Sequence, residues 1–140
     1  MTNALFLADE NATILHARSF ADNVDKGDII GLSGPLGAGK STFARALIRA
    51  LCADEQLNVP SPTFTLVQTY ETSKGPLWHF DLYRMEDPDE IYEAGWEEIA
   101  GSGICVIEWP ENLPAHLQKN MRIITITPDN DGRTITIKLK

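Results

Sequence analysis

The chain has 140 residues, with 12 Lys+Arg against 20 Asp+Glu and a formal net charge of -8. That length suits one domain, residues 1–140, with a core that needs no metal or disulfide staple, and 43% hydrophobic with 23% charged residues excludes a disordered chain. The acidic balance argues against a broad basic surface for nucleic acid, and no apolar run reaches the roughly 18 residues of a membrane span.

In chain order, Ala4 to Leu7 reads as a short strand, and its apolar run is too brief for a secretory signal. Asp9 is placed to cap a helix running to about Asn23. Ile29-Ile-Gly-Leu-Ser33 reads as a buried strand leading directly into Gly34-Pro-Leu-Gly-Ala-Gly-Lys-Ser41. A helix is expected from about Gly39 to Cys52, with Phe43, Leu47 and Leu51 on one face. Val59-Pro-Ser-Pro-Thr63 is an extended connection, because each Pro drives the preceding residue away from helix. Phe64 to Tyr70 and Leu77 to Leu82 read as strands around the turn Thr72 to Pro76.

Asp87-Pro-Asp-Glu90 is a helix start, with an N-cap carboxylate, Pro at the first helical position and a capping-box acid, and that helix is expected to end near Gly101. Ile104-Cys-Val-Ile107 suits a strand covered on both faces. Arg122 to Lys140 reads as a hairpin closed by Pro128 to Gly132, with Ile135, Ile137 and Leu139 alternating with polar residues. The order predicts an α/β fold with an antiparallel flank. Cys52 and Cys105 lie far apart with no metal-ligand spacing, as in a reducing, cytoplasmic setting.

Chemistry concentrates first in Gly34-x4-Gly39-Lys40-Ser41. The glycines let successive N–H groups cradle phosphate oxygens, the following helix adds its positive end, Lys40 supplies a full charge and Ser41 a hydroxyl for Mg²⁺. No Asn-Lys-x-Asp occurs, so ATP is favoured over GTP. A metal-binding acid is then required at a strand's carboxyl end. Asp81 in His79-Phe-Asp-Leu-Tyr-Arg84 and Glu108 in Glu108-Trp-Pro-Glu111 both qualify, and Glu108 has the apolar strand of a Walker-B acid before it. Thr63 and Thr65 of Ser61-Pro-Thr-Phe-Thr65 suit either a switch-like loop or a plain turn. His79 reads as catalytic or as a satisfied structural histidine, and Arg84 as a charge-stabilising group or a partner for Asp81. Trp109 suits the core, an interface or a gate. Glu86 to Glu98 holds seven of the 20 acids in 13 residues, a solvated face or a dock for a basic partner.

Together, Gly34 to Ser41, Ser61 to Leu66, His79 to Arg84 and Ile107 to Glu111 resemble the TsaE (YjeE) family in order and spacing over almost the whole chain. The P-loop is common to many families; the other three motifs together are specific. The resemblance implies a P-loop NTPase-type three-layer sandwich, mainly parallel with flanking antiparallel strands. It further implies a Mg²⁺-dependent ATPase for threonylcarbamoyladenosine modification of tRNA, working with TsaD and TsaB and reaching tRNA only through them.

Carried over by position, Leu36, Gly37, Ala38, Gly39, Lys40, Ser41 and Thr42 would hold the phosphates, and Ser41, Glu108 and Asp81 the metal or the attacking water. Thr63 and Thr65 would form the switch, Trp109 would adjoin the site, and Glu10 and Arg133 would lie near the base. Pro35 and Ser41 replace the Asp and Thr of many members. The rival functions on the same loop are a small-molecule kinase and a binding module that ATP switches.

Overall fold

A computed structural model describes residues 3–139. Seven strands form one sheet: β1 (Asn3–Leu7), β2 (Ile29–Ser33), β3 (Val67–Thr72), β4 (Gly75–Asp81), β5 (Ile104–Glu108), β6 (Arg122–Asp129) and β7 (Gly132–Leu139). Their spatial order is β1-β7-β6-β2-β5-β4-β3. The central run β6-β2-β5-β4 is parallel. β1 and β7 on one side and β3 on the other are antiparallel. The expected parallel centre and antiparallel flank are both present, although the six pairings divide evenly between the two kinds.

Alternation along each strand sorts side chains to opposite faces. Ile30, Leu32, Leu77, Ile104, Val106, Ile124 and Ile126 join one buried cluster with α1 (Glu10–Phe20) and α2 (Lys40–Leu51). Phe80, Cys105 and Ile107 join a second with Ile91, Trp96 and Ile99 from α3 (Glu90–Glu93) and α4 (Trp96–Ile99). The sheet is therefore the middle of three layers. On the first face Phe43, Leu47 and Leu51 are buried as their spacing predicts. Asp9 caps α1 by accepting from Ala12 N–H at 2.8 Å. Among the described residues no helix is long and apolar enough to cross a membrane.

Three expectations need correction. The strand placed at Phe64 begins at Val67, because Leu66 takes a left-handed φ of 73° and its N–H bonds Pro62 O at 2.7 Å, closing a turn. The helix expected to run to Gly101 is two short helices, broken where Gly95 adopts φ 94°. Its start also moves, to an N-cap at Asp89 whose side chain makes no cap bond among the described residues, so Pro88 precedes the helix. Of the expected capping box only Glu90 accepting from Asp87 N–H, at 2.9 Å, is present. The final hairpin turns over Asn130 and Asp131 alone, since Pro128 and Asp129 still pair with Arg133 and Gly132.

Candidate functional site

β2 ends at Ser33 and α2 begins at Lys40, so the intervening loop lies at the carboxyl end of the parallel strands, where α/β sheets hold ligands. Gly34 and Gly39 make this path possible. Gly34 has φ 144° and a Cβ there would collide with Ile126 O; Gly39 has φ 103° and is covered by the Arg133 guanidinium. Among the described residues no side chain caps α2, which leaves its first-turn N–H groups for an anion. Pro35 fits without strain: its carbonyl accepts from Ala38 N–H at 3.2 Å and from Lys40 Nζ at 3.0 Å.

The loop borders a cavity of about 430 Å³. Leu36 through Thr42 line one wall, Asp81 and Glu108 the floor, and Glu10, Thr63, Trp109 and Arg133 the rim. Of the residues singled out in the sequence, Thr65, His79 and Arg84 stay outside this lining; Thr65 accepts from Gln68 Nε2 at 3.1 Å on the exposed side of the turn. Ser61 and Tyr83 also line the cavity. Tyr83 lies in the turn just after β4, so only its place in His79-Phe-Asp-Leu-Tyr-Arg84 could have pointed to it.

The two acids are held differently. Asp81 and Glu108 pair across β4 and β5 and so project from the same face. Glu108 Oε1 accepts from Ser41 Oγ at 2.8 Å, and Oε2 meets His79 Nε2 at 2.7 Å. Asp81 Oδ2 accepts from Thr63 Oγ1 at 2.9 Å and Ser61 Oγ at 3.4 Å, and Oδ1 from Tyr83 N–H at 3.0 Å. Glu108 thus joins the P-loop to β4, whereas Asp81 ties the Ser61–Thr63 loop to the sheet. Arg84 does not pair with Asp81; its guanidinium lies 4.6 Å from the Phe64 ring centroid.

Lys40 is only 5% exposed. Its ammonium donates to the carbonyls of Gly34 and Pro35 and sits 3.7 Å from the centroid of the Trp109 ring. Burial pulls the Lys40 pKa below its ordinary value, and Glu108, Glu111 and Asp81 oppose that shift. Trp109 reaches this position through a left-handed φ of 62°, with Tyr83 packed 5.0 Å away. Such backbone costs about 1–3 kcal/mol and concentrates at ligand sites. Glu111, which the sequence left without a role, accepts from Ser33 Oγ at 2.7 Å and braces the loop's entry.

The donor set is hard oxygen: one hydroxyl and two carboxylates around the cavity floor. That suits Mg²⁺, which takes one or two carboxylates and completes its shell with water and phosphate. Backbone donors, a cation and oxygen ligands in one cavity fit a nucleoside polyphosphate.

The family model "Threonylcarbamoyl adenosine biosynthesis protein TsaE" matches residues 7–135. The tRNA threonylcarbamoyladenosine biosynthesis protein TsaE of Rickettsia typhi is 39% identical over 137 residues, covering 94% of this chain and 92% of its own. The protein of the same name from Aquifex aeolicus is 44% identical over 107 residues, 76% of each chain. The crystal structure of Bacillus subtilis YdiB superposes with a TM-score of 0.75 at 28% identity, covering 99% of this chain and 86% of that one.

Proposed function

The chain belongs to the TsaE family of threonylcarbamoyladenosine biosynthesis proteins, and from that premise we propose that it is a Mg²⁺-dependent ATPase serving N6-threonylcarbamoyladenosine modification of tRNA at position 37. It acts in the cytoplasm with TsaD and TsaB, and meets tRNA only through that complex. The observation that carries the reading is the Ser41–Glu108 hydrogen bond of 2.8 Å at the start of α2, in the same cavity as Lys40. A P-loop hydroxyl joined to a strand-end acid is what a metal-nucleotide site requires.

In this mechanism the loop amides and the start of α2 hold the β- and γ-phosphates. Lys40 leaves its two carbonyls and neutralises charge that develops on the γ-phosphate. Ser41 and Glu108, with Asp81 beside them, would hold Mg²⁺, which when bound supplies further charge neutralisation and phosphate orientation. Asp81 is the better group to orient the attacking water, because it is already bonded to the Ser61–Thr63 loop, the segment a partner can reorder. Glu10 and Arg133 also line the cavity and are assigned to the base and ribose. Among the described residues the one arginine that borders the cavity, Arg133, lies against Gly39 of the loop. Arg122 bonds Asp28 at 2.6 Å and Arg84 covers Phe64, so slow turnover alone and faster turnover with partners follow.

The test is release of inorganic phosphate from ATP by the purified chain, alone and with TsaD and TsaB. Stimulated release that Lys40→Ala abolishes supports the proposal. Transfer of the γ-phosphate to a small acceptor instead of water would replace it with a kinase.

A further inference from the structure

His79 is 2% exposed, and nothing in the mechanism above uses it. It belongs to the alternating series Leu77, His79, Asp81 on β4, whose first member is core and whose last lines the cavity. The middle position would suit an aliphatic residue: its partner on β5 is Val106, also fully buried. A buried imidazole is costly without a hydrogen bond, and among the described residues His79 makes one, to Glu108 Oε2 at 2.7 Å. Its Nδ1 is buried with no partner among the described residues. A carboxylate oxygen only accepts, so Nε2 is the donor of this bond.

We propose that His79 is a positioning residue of the nucleotide site, whose Nε2–H fixes Glu108 Oε2 so that Oε1 alone is presented to Ser41 and to a divalent cation. This rests on the reading of the cavity as a metal-nucleotide site. A glutamate at a strand end has rotatable χ angles and two equivalent oxygens. With Oε2 tied to β4 and Oε1 2.8 Å from Ser41 Oγ, the carboxyl plane is set by the sheet before any ligand arrives. The two acids then divide their work. Glu108 is rigid and orients the Ser41 hydroxyl; Asp81 is bonded to the loop hydroxyls of Ser61 and Thr63 and follows that loop.

The experiment compares wild type, His79→Leu and His79→Gln by calorimetric titration with ADP, first without Mg²⁺ and then across a Mg²⁺ series. Loss of such an outer partner typically costs 10–100-fold in metal affinity. His79→Leu is therefore expected to raise the Mg²⁺ midpoint by about 10–100-fold while leaving metal-free ADP binding intact. His79→Gln, whose amide keeps a donor near Nε2, restores most of the loss. A wild-type midpoint in the Leu variant, or equal damage in both variants, overturns the proposal. Should the Leu variant not fold, ¹⁵N NMR of the wild-type imidazole decides: a proton on Nε2 supports the contact and an unprotonated Nε2 refutes it. ADP binding by wild type that ignores Mg²⁺ would instead overturn the metal-nucleotide reading itself.

Discussion

The two faces of the sheet are made from the same strands, yet they do different work. On the face under α1 and α2, apolar rungs give way at the carboxyl end to His79, Asp81 and Glu108, and Lys40 closes over them. On the face under α3 and α4, Phe80, Leu82, Cys105 and Ile107 remain apolar to the end, packed with Trp96, Ile99 and Met121. No buried polar or charged side chain belongs to that second cluster among the described residues. One face thus bears the desolvation of ionisable groups that chemistry needs, and the other contributes burial without such a cost.

Substitutions separate the faces, beginning with the largest expected effect. Phe80, fully buried and edge-on to Trp96 at 5.7 Å, belongs to the apolar face. Phe80→Ala should lower stability by about 3–5 kcal/mol in urea unfolding, with ADP affinity of the folded fraction unchanged. Lys40→Ala should do the reverse: ATP turnover falls about 10²–10³-fold, and the melting temperature holds or rises because a buried charge is removed. Weakened ATP turnover in both variants at equal folded fraction would break the division.

Two titratable groups sharpen it further. His16 on α1 lies 6.3 Å from the Phe43 ring, and burial lowers its pKa from the ordinary 6.5. The unfolded chain then binds this proton more readily, so stability is lost as pH falls through and below 6.5. Urea unfolding at pH 7 and pH 5 should show a smaller acid loss in His16→Gln than in wild type. On the other face burial pushes the Cys105 thiol up to about 12. Iodoacetamide at pH 8 should leave it unmodified in the folded protein and alkylate it in urea, as mass spectrometry would read.

Much of this architecture was legible in the residues. Gly34 to Ser41, the apolar strand before Glu108 and the Asp9 cap each have a local cause, and each appears where its spacing puts it. What failed was non-local or a matter of one backbone angle. Gly95 divides an otherwise periodic helix, and Leu66 turns left-handed and delays β3, which carries Thr65 out of the cavity. His79 could be read either way until β4 and β5 were in register, because its partner Glu108 lies 29 residues away. The stacking of Trp109 on Lys40 likewise depends on a left-handed residue that no propensity favours.

The most direct test is ¹H–¹⁵N NMR of the chain titrated with Mg²⁺ and a non-hydrolysable ATP analogue. Shifts should concentrate on Leu36 to Thr42, Asp81, Glu108 and Arg133, and should spare Ile91, Trp96 and Ile99. Shifts centred on α3 and α4, or none at saturating analogue, would contradict the assignment of nucleotide chemistry to the α1–α2 face.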